Sequence, residues 1–358
     1  MVSKTSYTIV ISDAGSHDTG IRGTRAFWWM ADRIGAYAEL GLYWFLSEYF
    51  GRSSVTLIRP SQLLTSSSKY KTDWLFVGLP TSLNKKHLKR IDFRRIVLYD
   101  SSDFNGVNFG YSDKSFLLSE TNLCLKNWRD RRWEFDYSIG LLPIKRPPLN
   151  NWLPLAIRVA SVKDRLGFLH KKRYDIGFVG RPSGDYAGNQ RLRWLMDLKT
   201  YRPNLKLWGG LVGDKNRRKT LEQLWDAKAL DACWLSRRRI GFLQYFSGLL
   251  RSKVTLAPAG YAPWTYRHYE AIYARSIVVS NDLSCYEFLV PFPREGIIEV
   301  SEGESVVRGV DDALVLCESS PEILNANIEH LERWFNMGTY SRGKRDTLDR
   351  FFAELDGY

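Results

Sequence analysis

Short runs of β-branched and aromatic residues alternate with helix-length amphipathic stretches along the chain, and this alternation constrains its fold more than any other feature. The first run is Tyr7–Ser12, and similar runs recur at Val55–Ile58, Trp74–Val77 and Arg95–Tyr99. Such alternation is typical of a parallel sheet whose strands are joined by crossover helices. The sequence therefore predicts an α/β protein.

A second series of the same kind begins after a proline-rich segment. Four prolines lie between Leu141 and Leu155, and they predict an extended connector because proline removes a backbone donor and clashes within a helix. Beyond the connector, Tyr174–Val179, Leu205–Trp208 and Val254–Pro258 are predicted to be buried strands.

The length of 358 residues suits two domains. We expect residues 1–155 to form an N-terminal, acceptor-side Rossmann-like domain and residues 156–335 to form a second such domain that binds a nucleotide sugar. Residues 336–358 are predicted to form a helix that packs back on the first domain. Two α/β halves joined by a proline-rich hinge predict a cleft between them, which is a frequent site for small ligands.

The charge of the chain indicates an anionic partner. Lysine and arginine exceed aspartate and glutamate by 13, which favours a phosphate, a nucleic acid or an acidic membrane face. The four cysteines show no paired spacing, as expected in a reducing compartment. No apolar run approaches the ~20 residues of a membrane span. We therefore expect a cytoplasmic protein, or one that is peripheral on the cytoplasmic membrane face.

One segment carries a more specific pattern, from Ser252 to Ala271. It combines a strand, a Pro-x-Gly-Tyr-Ala-x-Trp loop, and an arginine and a Glu-Ala pair on a following helix. These residues are Pro258, Gly260, Tyr261, Ala262, Trp264, Arg267, Glu270 and Ala271. The segment resembles the nucleotide-sugar-binding segment of exostosin-like glycosyltransferases, although Ala259 stands where that family usually has arginine.

The resemblance implies a GT-B architecture, in which two Rossmann-like domains face each other across a cleft. It also implies inverting sugar transfer without an essential metal or other cofactor, from a UDP- or GDP-linked donor to a hydroxyl of a glycan or lipid-linked glycan. An anionic membrane surface is a further expected partner, and no nucleic acid is expected.

The residues of this segment suit a nucleoside diphosphate on chemical grounds. Arg267 supplies a planar cation that can bind phosphate oxygens in two places. Glu270 lies three residues further on the same helix face and can accept two hydrogen bonds from a ribose diol. The loop from Gly260 to Thr265 opens a helix, whose free N–H groups favour anions. The alternative is that Arg267 and Glu270 form a surface ion pair.

Four further residues are candidates for the same site. Gly180 and Arg181 follow a predicted strand, where a glycine lets the backbone approach a phosphate, and the alternative there is a plain turn. Trp264 and Tyr261 are candidates for stacking on a base or sugar, and the alternative for both is packing in the core.

An inverting transfer needs a carboxylate or imidazole that takes the proton of the acceptor hydroxyl. We expect this base in a polar loop after the first or the fourth strand of the N-terminal domain. The candidates are Asp13, His17 and Asp18 in the first loop, and Asp100 and Asp103 in the second. Aspartate is also common in turns for local hydrogen-bonding reasons, which is the competing interpretation.

Other classes of protein remain open at this point. The basic, aromatic segment Trp128–Trp133 suits a nucleic acid, an anionic glycan or an anionic membrane, which describes an α/β binding protein without transferase activity. A different α/β enzyme that acts on sugar nucleotides is a third class. The GxxxxGK[ST] and GxGxxG motifs are both absent. The HExxH and GxSxG motifs are absent too, which removes the common zinc-hydrolase and α/β-hydrolase interpretations.

Overall fold

The computed structural model divides the chain into two compact units. It describes residues 5–10, 42–43, 46–47, 50–58, 63, 70–79, 81–100, 106–107, 115–121, 123–141, 153–165, 171–182, 187–213, 218–219, 222, 226–235, 240–260, 262–335 and 343–356. Unit 1 comprises Met1–Asn151, Cys285–Pro291 and Trp334–Tyr358, and unit 2 comprises Trp152–Ser284 and Phe292–Arg333.

The described strands, in chain order, are β1 (Tyr7–Val10), β2 (Val55–Ile58), β3 (Tyr70–Gly78), β4 (Ile91–Asp100), β5 (Leu123–Lys126), β6 (Arg129–Asp130), β7 (Ser138–Leu141), β8 (Tyr174–Gly180), β9 (Leu207–Leu211), β10 (Ser252–Ala257), β11 (Ile277–Asn281), β12 (Tyr286–Glu287) and β13 (Ile297–Val300). The described α-helices are α1 (Lys85–Leu88), α2 (Ser115–Thr121), α3 (Leu153–Arg165), α4 (Ala187–Tyr201), α5 (Ala227–Cys233), α6 (Phe242–Leu250), α7 (Arg267–Tyr273), α8 (Val306–Ser319), α9 (Glu322–Phe335) and α10 (Gly343–Asp356).

Unit 1 is built on a parallel sheet with the strand order β2-β1-β3-β4-β5-β7 among the described residues. Its central strands are apolar on both faces, as expected for a sheet that is covered on both sides. Ile9, Phe76 and Leu125 are fully buried in its core, and Phe351 of α10 is buried among them. A short antiparallel pair, β6 with β12, lies outside this sheet.

Unit 2 is built on a second parallel sheet with the order β13-β11-β10-β8-β9. Helix α8 shows how the sequence determines the packing of this unit. Ser305 caps the helix by accepting a hydrogen bond from Val307 N, and Val306, Val310 and Ala313 recur at helical spacing and are buried. A Cβ at Gly309 would lie 2.7 Å from Val300 Cγ2, so this glycine allows α8 to approach β13 closely.

The prediction of an α/β chain with parallel sheets is confirmed, and two local predictions are wrong. The proline-rich connector ends earlier than expected, because α3 begins at Leu153 and accepts Pro154 in its first turn, where a missing N–H does no harm. Strand β9 runs through Gly209 and Gly210 rather than stopping at Trp208. A Cβ at Gly210 would lie 2.5 Å from Cys233 O, so this glycine serves a close backbone approach and not a turn.

Two further features concern the remaining predictions. The helix predicted between residues 25 and 50 lies mostly outside the described residues, although Leu42 and Leu46 are fully buried in the core of unit 1. Among the residues that the structure describes, no helix combines the length and the apolar character needed to cross a membrane.

Candidate functional site

The site of unit 2 is organised around Arg267, the first residue of α7. Strands β8 and β10 are parallel neighbours, so the segments that follow them leave the sheet at the same edge. Arg267 Nη2 donates a hydrogen bond to the carbonyl oxygen of Val179 at 2.7 Å, and its guanidinium lies 4.9 Å from the ring centroid of Phe178. A Cβ at Gly180 would lie 3.3 Å from Arg267 Nη2. The structure thus brings together Gly180 and Arg267, which the sequence analysis placed in the same site.

Several polar atoms at this point have no partner within the described chain. Arg267 Nε and Nη1 are buried and make no hydrogen bond to any described residue, and the same holds for Thr265 Oγ1. A buried polar group without a partner costs about 1–3 kcal/mol, and more when it is charged. Such groups call for an explanation, and a ligand with paired anionic oxygens matches the fork of a guanidinium.

Glu270 lies one turn further along α7 and is only 9% exposed. Its Oε2 accepts a hydrogen bond from the Tyr245 hydroxyl of α6 at 2.8 Å. Burial raises the pKa of Glu270, while the Tyr245 hydrogen bond and the charge of Arg267 oppose that rise. Because Glu270 is buried and bonded to Tyr245, while Arg267 is bonded to Val179, the surface ion pair considered above is not the arrangement observed.

The loop before α7 is held by α4. Arg191 is 7% exposed, and it donates from Nε to Ala259 O at 3.1 Å and from Nη1 to Arg181 O at 2.5 Å. Gln190 accepts from Ala259 N, and Gly260 N donates to Ala262 O. The amides of Ala259 and Gly260 therefore have internal partners, so Gly260 serves the turn rather than offering its N–H to a phosphate. A Cβ at Gly260 would lie 3.2 Å from Arg191 Nη2.

His268 contacts the backbone of Thr265 and fixes its position. Burial lowers the pKa of His268 to about 4, so the imidazole is neutral near pH 7. Its Nδ1 lies 2.7 Å from Thr265 O and its Nε2 lies 2.7 Å from Ser280 Oγ. Two lone pairs at 2.7 Å would repel, so Nδ1 carries the proton and Nε2 accepts from Ser280. Thr265 N lies 3.2 Å from the same nitrogen and its N–H is directed at the imidazole, so the hydroxyl is the Thr265 group left without a partner among the described residues.

The remaining nucleotide-site candidates separate into three cases. Trp264 is 3% exposed and contacts the rings of Tyr266 and Tyr269 edge-on, so it packs in the interior instead of offering a face to a base. Arg181 has an exposed side chain, while its carbonyl oxygen receives the Arg191 hydrogen bond. Tyr261 lies outside the described residues.

Of the predicted bases, the structure describes Asp100. This residue ends β4, and its Oδ2 lies 2.9 Å from Lys126 Nζ at the end of β5. Both side chains are fully buried, and the carboxylate is already paired with the Lys126 ammonium, so Asp100 belongs to an internal ion pair. The other four candidates, Asp13, His17, Asp18 and Asp103, lie outside the described residues and stay predictions.

Sequence reasoning missed three residues that shape these sites: Arg191, Tyr245 and Lys126. Of these three, only Arg191 could have been found from the sequence. It lies about one turn into the helix that follows Gly180, where a cation can reach the loops at that edge of the sheet. Within the described residues, no group of three or more His, Cys, Asp or Glu side chains is arranged to hold a metal ion.

Comparison with known proteins identifies the fold. No protein-family profile matches the chain, and no curated protein sequence matches it. Among solved structures, Anabaena HepE in complex with UDP is similar at a TM-score of 0.51 and 13% identity, over 98% of this chain and 100% of that one. A UDP-forming α,α-trehalose-phosphate synthase from Burkholderia vietnamiensis is similar at 0.51 and 12% identity, over 98% of this chain and 97% of that one.

Some matched chains are longer. The match with a chain of the GtfA/B complex covers 89% of this chain but only 61% of that longer chain, with 10% identity and a TM-score of 0.46.

The two parallel-sheet units match the two Rossmann-like domains of GT-B glycosyltransferases, so the chain has the GT-B fold. The exostosin-like resemblance stays a hypothesis that rests on the Pro258–Ala271 motif.

Proposed function

We propose that the chain is a glycosyltransferase that moves a sugar from a nucleoside diphosphate, UDP or GDP, to a hydroxyl of a glycan. The observation that carries the proposal is the buried guanidinium of Arg267, which has two nitrogens without a described partner beside Gly180. The GT-B fold supports it, because HepE binds UDP and the Burkholderia enzyme forms UDP on the same fold.

Each residue of the site has a distinct role in this proposal. Arg267 stabilises the negative charge of the diphosphate as it leaves, and the Thr265 hydroxyl donates to the same oxygens. Glu270 accepts hydrogen bonds from the ribose hydroxyls. Its Oε2 is already oriented by Tyr245, and a carboxylate retains further lone pairs for a diol.

The proposed transfer is an inverting displacement without a catalytic metal. A base takes the proton of the acceptor hydroxyl, whose oxygen forms a bond to the anomeric carbon while the bond from that carbon to the diphosphate breaks. The base comes from the N-terminal loops, and His17, Asp13, Asp18 and Asp103 remain the candidates. Asp100 is less suited to this role because Lys126 already neutralises it in the interior.

Calorimetry with UDP, GDP, ADP and CMP tests the nucleotide site. We expect UDP or GDP to bind, and Arg267→Gln to weaken that binding by about 10- to 100-fold, since a hydrogen bond to a charged group contributes about 1.5–3 kcal/mol. Arg308→Gln is the matched control, because the Arg308 side chain is 86% exposed. Unchanged affinity in Arg267→Gln, or no nucleotide binding at all, would contradict the proposal.

The ribose role of Glu270 is tested with a modified ligand. Glu270→Ala should weaken binding of the ribonucleotide, and removing both ribose hydroxyls from the ligand should weaken binding to the wild-type protein. If Glu270 holds the diol, the two losses should not add when they are combined, because both remove the same interaction. Additive losses would assign the carboxylate to another part of the ligand.

A further inference from the structure

A cavity of about 720 Å³ lies in unit 1, along the chain from Arg129 to Ile139. Ligand sites for small molecules span ~300–1,000 Å³, so this volume suits a small organic ligand. The aromatic side chains that line it are Trp133, Phe135 and Tyr137. Nothing in the nucleotide site uses these residues.

The three rings form a continuous row. The centroids of Phe135 and Tyr137 are 5.0 Å apart with nearly parallel planes, and those of Trp133 and Phe135 are 5.7 Å apart. A Cβ at Gly106 would lie 3.0 Å from Phe135 Cζ, so the backbone after β4 supports the ring from one side. Phe135 is nevertheless 42% exposed, which leaves part of its surface for a ligand.

The arginines of this segment are neutralised within unit 1. Arg129 pairs with Glu287 and Glu354, Arg131 with Glu287, and Arg132 with Asp130. Neighbouring carboxylates therefore neutralise these guanidinium groups. This arrangement does not favour binding of the anionic partners that the sequence of Trp128–Trp133 suggested.

The cavity lining is acidic, although the whole chain is basic. Two arginines and four carboxylates line it, a formal net charge of −2, against +13 for the chain. Two of these carboxylates, Glu134 and Asp136, flank Phe135 and are exposed, and neither makes an ion pair or hydrogen bond to another described residue. They can therefore accept hydrogen bonds from a ligand.

We propose that this cavity binds an uncharged saccharide. A sugar ring presents C–H groups on its faces, which pack on an aromatic row, and hydroxyls at its edge, which donate to carboxylates. The negative lining repels phosphorylated, sulfated and carboxylated polymers. The inference depends on residues of unit 1 alone and is independent of the nucleotide site.

The test uses the full chain without nucleotide on an array of glycans. The array carries uncharged oligosaccharides of hexose and N-acetylhexosamine, heparin fragments and oligouronates. We expect uncharged glycans to bind and the anionic ones to bind at least tenfold more weakly. The best uncharged glycan is then titrated by calorimetry against three variants: Phe135→Ala, Glu134→Ala/Asp136→Ala and Tyr201→Ala.

Phe135→Ala and the double variant should each lose at least tenfold in affinity. Tyr201→Ala is the matched control, because it removes a ring that is 65% exposed in unit 2, and its affinity should be unchanged. Three results would overturn the proposal: no uncharged glycan binds, heparin or an oligouronate binds more tightly, or both cavity variants retain wild-type affinity. All substituted residues are exposed, and unfolding curves verify that each variant is folded.

Discussion

The Asp100–Lys126 pair of unit 1 and Arg267 of unit 2 are both charged groups near the carboxyl ends of parallel strands, yet their surroundings differ. Asp100 and Lys126 are fully buried and satisfy each other at 2.9 Å. Arg267 has one hydrogen bond to Val179, while two of its buried nitrogens have no described partner. Position at a strand end therefore does not by itself identify a binding group. The distinguishing feature is whether the buried polar atoms of the charged group find hydrogen-bond partners within the described chain.

The largest expected effect is on stability in unit 1. Asp100→Ala leaves Lys126 as an uncompensated buried charge, and breaking such a pair costs about 3–5 kcal/mol. Asp100→Leu combined with Lys126→Met should recover most of that loss, since an apolar pair of similar volume replaces both charges. Urea unfolding measures the free energy of each variant.

The control for that experiment is an exposed ion pair. Arg202→Ala breaks the pair with Asp311, whose side chain is 37% exposed, and should change the free energy of unfolding by less than about 1 kcal/mol. Arg267→Met provides the contrast in unit 2, where removal of a charged group with two unsatisfied nitrogens should cost less free energy of unfolding than Asp100→Ala. If Arg267→Met destabilises as much as Asp100→Ala, the two sites do not differ in the way described.

His268 gives the next largest effect, and it depends on pH. Burial lowers the pKa of His268 from 6.5 to about 4, so the unfolded chain binds a proton in this range that the folded chain does not. Its contribution is fully present above pH 6.5 and is lost as the pH falls towards 4, by about 3 kcal/mol. The raised pKa of Glu270 acts in the opposite direction, because that group favours the protonated form on folding.

Urea unfolding between pH 4 and pH 7 tests this for wild-type protein and His268→Gln. The difference in free energy between the two should shrink as the pH falls, because only the wild type loses the histidine contribution. A constant difference across the range would show that His268 titrates alike in the folded and unfolded chain.

The sequence predicted the α/β architecture and the meeting of Gly180 with Arg267, because both follow from local periodicity and from the shared edge of parallel strands. It did not predict Arg191 or Tyr245. Arg191 bonds to Ala259 across 68 positions of sequence and Tyr245 bonds to Glu270 across 25, and such pairings depend on tertiary register. Trp264 belongs to the recognised motif but packs in the interior. The sequence alone does not separate these two cases, because an aromatic side chain can either pack in a core or stack on a ligand.

We expect the smallest effect from Gly180→Ala. This variant changes the packing around Arg267 but leaves the charge of Arg267 unchanged. A Cβ at Gly180 would lie 2.6 Å from Phe178 Cζ, and Phe178 is fully buried, so its ring must shift beneath the guanidinium. Overpacking of this kind costs roughly 1–2 kcal/mol. We expect a comparable loss in nucleotide affinity, about tenfold by calorimetry, because displacement of the ring moves Arg267. Gly241→Ala is the matched control, since a Cβ there meets nothing within 4 Å. Equal affinities in the two variants would show that the Phe178 ring does not position Arg267.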